Sequence, residues 1–370
     1  MLADYAVRVE RTRGRRHPEP PHPYRNDFQR DRDRVIHARA FRRLENKTQV
    51  FTDRNSDHFR NRLTHTIEVA QISRTIAEQL QLNVDLTETL ALVHDIGHPP
   101  FGHAGEKALD QAMKPHGLFF DHNLHALRIV EDFEMRYAAF RGLNLTFEVR
   151  EGIIKHSRDY PSGKYPQLSE YLLDKRPPLE AQLIDLTDEI AYNTADLDDG
   201  YEADILMVEQ ICSGVPAFEK AYCQAEGKYP KSVEKLKFNE ALKIFFNRLV
   251  TDLIENTYAR ITQSGVRSLE DVRNYPERLV AFSPTMDAER RQAKEFLYAN
   301  LYYSPELKHD KLQAEEIVGE LFHFWMAHPE DLPSSYQAKA ESEPLARIVC
   351  DYIAGMTDNF IMAQKQRYIR

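Results

Sequence analysis

The chain has 370 residues, a net charge of −9, 29% charged residues and three cysteines, Cys212, Cys223 and Cys350. That length suffices for one large or two ordinary domains with a self-sufficient core, and three cysteines without a CxxC pair exclude a disulfide framework or cysteine-rich zinc site and fit a reducing cytosol. No apolar run approaches the roughly 20 residues of a membrane span, the opening MLADYAVRVERTRGRR lacks the apolar stretch of a secretory signal, and the acidic balance argues against wholesale nucleic-acid binding.

Glycine is scarce, 14 residues in all, and apolar positions recur at three and four, which predicts an all-α protein. Charge is unevenly spread. Residues 1–43 hold twelve Arg against six Asp and Glu, about +6 for a segment that could touch phosphates, including a weak contact with single-stranded DNA. A solvated arm or a partner contact is the plainer reading. Residues 1–25 read as irregular, with the proline-rich HPEPPHP at 17–23. A helix is expected over 26–44, and a second over 61–80, where His65, Val69, Ile72, Ile76 and Leu80 fall on one stripe. Asp85 with Glu88 three residues on reads as the start of a third, whose last turn would carry His94 and Asp95. Gly97, Pro99 and Pro100 then stop it, leaving His98 and His103 on the following loop. Further helices are expected over 121–134 and 179–200, with loops at 157–166 and 174–182. More helix fills 201–370, broken near 214–216, 227–231 and 329–335. The expected division is an irregular 1–25, a core at 26–200, and a C-terminal helical region at 201–370 packed on that core.

A His on a buried stripe (His65), a His-Asp pair at a helix end (His94, Asp95) and an Asp on a later amphipathic helix (Asp188) can surround one divalent cation. Each alone has an ordinary explanation, a satisfied core histidine or an exposed carboxylate. Together, buried, they would leave costly polar groups without partners unless a metal were shared. Mixed imidazole and carboxylate ligation suits Mg, Mn, Co, Fe, Ni or Zn and leaves positions open. Such an ion acts as a Lewis acid and lowers the pKa of its water. In the loop, His98 and His103 flank PPFG, and Glu106 stands three residues after His103. A carboxylate behind an imidazole favours its protonated form, the form that serves as a general acid. His122, opening the next helix, is a third candidate. Tyr192 and Asp196 follow Asp188 at four and eight residues and form one polar stripe able to grip a hydroxylated ligand.

His65, His94-Asp95 and Asp188 together resemble the HD superfamily of metal-dependent phosphohydrolases. IHARAFRRLENKTQVF (36–51), NRLTHTIEVAQISRTIA (61–77), HDIGHPPFGHAGE (94–106), DLTDEIAYNTADLDDG (185–200) and the C-terminal DYIAGMTD (351–358) resemble the deoxynucleoside triphosphate triphosphohydrolase, or dGTPase-like, family. The likeness is strong over 24–200 and weak beyond. It implies an HD-domain helical core with additional C-terminal helices, and hydrolysis of a dNTP to deoxynucleoside and inorganic triphosphate. It implies His65, His94, Asp95 and Asp188 as metal ligands and His103 as the acid, supported by Glu106. His98 and His122 would lie on the phosphates, Gln49, Tyr192 and Asp196 against the deoxyribose, and Arg62 against the nucleotide. Lys155 and His156 would be triphosphate contacts. It further implies a cytoplasmic homo-oligomer, with activation by a dNTP left open. Two departures stand out: Asp121 and His125, in FDHNLH, occupy positions where the family commonly has Glu and Gln. The competing readings are an HD phosphohydrolase with another nucleotide, and a catalytically silent dNTP or single-stranded DNA sensor.

Overall fold

A computed structural model describes residues 1–50 and 59–369. Phe51, the last residue of the motif at 36–51, lies outside the described residues. Among those described, the secondary structure is helical, with isolated β-bridges and no sheet. In chain order the helices are α1 (Asp27–His37), α2 (Arg39–Arg43), α3 (Arg62–Gln79), α4 (Val84–Val93), α5 (Gly102–Met113), α6 (His122–Arg128), α7 (Phe147–Ile154), α8 (Leu179–Glu202), α9 (Val208–Gly214), α10 (Pro216–Lys228), α11 (Glu234–Ser264), α12 (Leu269–Asn274), α13 (Pro284–Leu297), α14 (Pro305–Ala327), α15 (Ser334–Ala340), α16 (Leu345–Ala354) and α17 (Asp358–Tyr368). None is long and apolar enough to cross a membrane among the described residues.

Several helix ends differ from the sequence expectation. The helix expected over 26–44 is two. Ala38 is extended at ψ 149, and the N–H of Ala40 at the new N-terminus donates to Glu134 Oε1 at 2.8 Å. A carboxylate distant in sequence thereby satisfies a donor that a helix start leaves open. The third helix is capped two residues earlier than expected, by Asn83, whose Oδ1 accepts from Leu86 N at 3.1 Å, while Glu88 pairs with Arg74. That helix ends at Val93, so His94 and Asp95 sit in the turn beyond it. Helix α5 is not anticipated by its Gly- and Pro-rich start, and it places His103 in a first helical turn rather than on a loop. Helix α6 is followed by a π-turn at Ile129–Phe133. Its N-cap is Asp121, whose carboxylate accepts from Asn123 N and Leu124 N.

The chain forms two compact units, each assembled from separated segments, which partition the sequence differently from a division at residues 25 and 200. The first comprises Met1–Thr12, Glu68–Ala91 and Lys155–Pro305. Its longest helix, α11, buries Phe238, Ala241, Phe245, Leu249, Leu253, Thr257 and Ile261, one stripe at three- and four-residue spacing. The N-terminal strip is held here by Glu180, whose buried Oε1 accepts from Val7 N at 2.9 Å and Asn83 N at 3.0 Å.

The second unit comprises Arg13–Ile67, Leu92–Ile154 and Glu306–Arg370. Its core gathers Ala108, Leu109 and Met113 of α5 against Val318, Phe322 and Trp325 of α14 and Ile348, Val349 and Ile353 of α16. This packing seats α5, and with it the motif at 94–106. The basic N-terminal residues are not a solvated arm in this unit. Arg15 bonds Asp31 and Asp27, and Arg34 bonds Glu19 and the Leu143 carbonyl.

Candidate active site

His65 (α3) and His94 and Asp95 (the turn after α4) are all buried, and one ligand atom from each lies within 4.8 Å of the others. The two rings meet edge to face at 5.8 Å. Two imidazoles and a carboxylate this close form a donor set suited to a divalent ion. Burial raises the Asp95 pKa, but Arg62, His98 and His94 outweigh it and hold the carboxyl well below its usual range. Arg62, the predicted nucleotide contact, donates from Nη1 to Asp95 Oδ2 at 2.9 Å. Gln49, predicted to face the deoxyribose, is half-buried. Its Oε1 is buried with no hydrogen-bond partner among the described residues, so it can receive a ligand donor.

A second set, His98, His103 and Glu106, stands in the same unit. His98 is buried with Nδ1 2.9 Å from Asp95 Oδ1, and burial, with Arg62 beside it, pushes its pKa well down. His122 stacks on His98 at 4.1 Å, and His103 meets His98 edge-on at 5.8 Å. Glu106 serves two rings. It lies 2.9 Å from His122 Nδ1 and 3.6 Å from His103 Nδ1. Burial raises its pKa, yet the bonds to His103 and His122 bring it well below the ordinary carboxylate range. The His103 side chain is 82% exposed.

The glycines of this stretch are required by close approach. A Cβ on Gly97 would lie 2.0 Å from the His122 carbonyl oxygen, and one on Gly105 would lie 2.0 Å from that of Pro100. Phe101 and Gly102 both have positive φ, 61° and 55°. Only glycine adopts that conformation freely, and a Phe held there is strained.

Asp188, Tyr192 and Asp196 lie on α8 in the first unit. Asp188 and Tyr192 are half-buried and Asp196 is buried, accepting a short hydrogen bond from the Tyr302 hydroxyl. Burial, then Glu189 and Asp188, raises the Tyr192 pKa, so its hydroxyl remains a donor. Lys155 and His156 are also in this unit. The Lys155 ammonium donates to the carbonyls of Leu172 and Lys175 at 2.7 and 2.8 Å, and His156 Nδ1 is 2.8 Å from Asp185. Both are engaged with the protein's own backbone and side chains.

Residues 62–193 match the HD domain, and residues 280–367 match the phosphohydrolase-associated domain. A deoxyguanosinetriphosphate triphosphohydrolase-like protein of Ralstonia pickettii (strain 12J) is 46% identical over 367 residues, spanning 99% of this chain and 94% of the relative. The like-named protein of Azoarcus sp. (strain BH72) is 47% identical, with 99% and 96% covered. That of Geobacter sulfurreducens is 44% identical over 368 residues, with 99% and 94% covered. The chain belongs to the deoxyguanosinetriphosphate triphosphohydrolase-like family. It is therefore an all-α phosphohydrolase of the HD superfamily, as the residue pattern and the resemblance had indicated.

Four residues of this dGTPase-like chain escaped sequence reasoning. Tyr302 lies in an ordinary tyrosine-rich run. Asp351 pairs with His125 at 3.3 Å and Arg128 at 2.6 Å, so the unusual His125 is part of a buried carboxylate pair. Asp358 and Lys47 sit inside recognised motifs but carried no spacing signal. Lys47 is buried, and burial first, then Arg43 and Arg62, push its pKa down to about 7 from an ordinary 10.5, with Asp358 and Asp95 opposing. Between those values the unfolded chain keeps a proton that the folded chain has released. Unfolding free energy is therefore expected to gain a rising contribution as pH increases from about 7 toward 10.5. Urea titrations at successive pH values check this, and Lys47→Met is expected to flatten the slope. An unchanged slope in that variant would remove Lys47 as the cause.

Proposed function

We propose that this protein is a metal-dependent dNTP triphosphohydrolase, converting a dNTP of the dGTP type to deoxynucleoside and inorganic triphosphate. The observation that carries the reading is the buried His65, His94 and Asp95 set standing with a second group, His98, His103, Glu106 and His122. The donor chemistry fits a metal, and His65, His94 and Asp95 would hold it, with Asp188 added on the sequence resemblance. When bound, the ion supplies Lewis-acid polarisation of the phosphate and acidifies water. The protein's own groups do the rest. Arg62 sets a fixed positive charge beside Asp95, where a planar guanidinium suits phosphate oxygens. His98, held neutral, binds by hydrogen bonding rather than as a cation. Water oxygen bonds to the α-phosphorus as the bond to the 5′-oxygen breaks, and His103 Nε2 delivers a proton to that departing oxygen. Glu106 holds the His103 and His122 rings by their Nδ1 atoms. Gln49 offers its free acceptor to the nucleotide, and Tyr192 and Asp196 are assigned to the sugar.

Residues 26–200 carry this catalytic set, and the reading extends to a cytoplasmic homo-oligomer whose size light scattering measures. The deciding experiment incubates the protein with each dNTP, singly and mixed, with Mg, Mn or Co, and separates products by anion exchange. Deoxynucleoside with intact triphosphate supports the proposal, and mixtures report activation of one dNTP's hydrolysis by another. Monophosphate with pyrophosphate overturns it, because the bond cleaved would not need His103 as acid. For the ligand set, Asp188→Ala is expected to lose most bound metal, read by elemental analysis of the purified protein. Full occupancy in that variant would take Asp188 out of the set.

A further inference from the structure

The C-terminal motif DYIAGMTD has no part in the mechanism above, yet it ends beside the catalytic loop. Asp358, the first residue of α17, accepts three hydrogen bonds from two segments. Its Oδ2 takes the Thr48 N–H at 2.7 Å and, in a short contact, the Thr48 hydroxyl, while Oδ1 takes the Phe101 N–H at 3.0 Å. The preceding residue works in parallel. The buried ammonium of Lys47 donates to the Ala354 carbonyl at 3.0 Å and, in a short contact, to the His98 carbonyl. Arg43 adds a bond to the Gly355 carbonyl at 2.7 Å.

These bonds hold the turn 98–101 at both ends, the carbonyl of His98 and the amide of Phe101. Phe101 carries the positive φ of 61° that lets α5 begin at Gly102, with His103 in its first turn. A bulky residue keeps such a backbone only where its surroundings over-determine it. The same bonds fix Lys47 and Thr48, immediately before Gln49, and thus where that side chain starts. Catalytic groups need their supporting contacts to hold geometry within a fraction of an ångström.

We infer that Lys47, Thr48 and Asp358 form a buckle by which the C-terminal helices position the His98–His103 segment and Gln49 for catalysis, with Asp358 and Lys47 as positioning residues. The inference rests on the proposed function for its kinetic part. The buckle itself is independent of what the site hydrolyses.

The test uses the full chain with Asp358→Asn, Thr48→Ala and Thr48→Ser. Asp358→Asn removes an acceptor that the Phe101 or Thr48 amide requires. Thr48→Ala removes one bond and keeps the fold accessible if the first variant does not fold. Thr48→Ser restores the hydroxyl. Misplacement on this scale lowers kcat about 10- to 100-fold, and we expect that for Asp358→Asn, a smaller loss for Thr48→Ala and recovery in Thr48→Ser. KM and bound metal are expected to change less than about threefold, since neither Asp358 nor Thr48 is a metal donor. Hydrogen exchange of the peptide covering 95–104 is expected to accelerate in Asp358→Asn and Thr48→Ala, with α11 unchanged.

Unaltered exchange at 95–104 overturns the buckle. Faster exchange with wild-type kcat overturns its role in catalysis. A loss of kcat that only tracks lost metal or global unfolding, without rescue by serine, assigns Asp358 to stability alone and overturns the inference. Should the wild-type protein hydrolyse no dNTP, the exchange measurement still decides the buckle while the proposed function falls separately.

Discussion

Turnover by His103→Ala is expected to fall about two to four orders of magnitude, the range for loss of a general acid, while bound metal and nucleotide affinity stay near wild-type. In the proposed reaction the leaving group is a sugar 5′-alkoxide, far too basic to depart unprotonated near neutral pH. The His103 ring is exposed, as the proposed acid requires. The buried His98 has its pKa pushed down and its Nδ1 turned to Asp95. His103 is not in the buried donor set of His65, His94 and Asp95, so its removal leaves that set intact. The closer approach of Glu106 to His122 makes His122 the control. If His122→Ala loses the larger factor and His103→Ala keeps near-normal turnover, the acid has been assigned to the wrong ring. A fall in kcat with a matching loss of metal in His103→Ala would also refute the role.

Gly97→Ala is expected to lower activity about 100-fold and to destabilise the fold as well. The added Cβ would meet the His122 carbonyl oxygen at 2.0 Å, the Ala126 amide nitrogen at 2.7 Å and the Ala126 Cβ at 2.8 Å. Two of these are backbone atoms of α6, which cannot rotate aside as a side chain would. Either α6 moves, taking His122 from Glu106 and His98, or the turn carrying His94, Asp95 and His98 moves. Overpacking of this kind costs about 1–3 kcal/mol or more, and a misplaced catalytic group costs about 100-fold in rate. Urea denaturation and turnover measure the two effects. Gly319→Ala, in the middle of α14 with open space at its Cβ, is the contrasting substitution and is expected to be stabilising by about 1 kcal/mol or less. Wild-type stability and turnover in Gly97→Ala would mean that this contact does not fix α6.

The helical class and the helix limits of α3 and α8 to within two residues were legible because they follow from local periodicity, whereas the grouping of His65 with His94-Asp95 was expected from donor chemistry and the family resemblance. A stripe at three and four residues has the same meaning wherever the chain folds. The cap of α4 was missed by two residues because Asn83 outcompetes Asp85, a choice made by placement, with Asn83 also bonding the Val7 carbonyl. The break at Ala38 was invisible because Glu134, almost a hundred residues away in sequence, caps the helix that follows it.

The sequence by itself determined an all-α chain, its membership of a family, and which side chains are chemically able to hold a metal and move a proton. Only the tertiary structure decided how those side chains are supported. Helix α5 forms through residues that locally disfavour it because Gly105 must pass against the Pro100 carbonyl and because its apolar face packs on Trp325 and Val349. Glu106 is shared between His103, three residues before it, and His122, while Lys155 is turned to the Leu172 and Lys175 carbonyls and Asp358 holds Thr48 and Phe101 from far along the chain. The physical reason is common to all: periodicity reports which face of an element is buried, whereas the partner of a buried polar group is set by which other element arrives there.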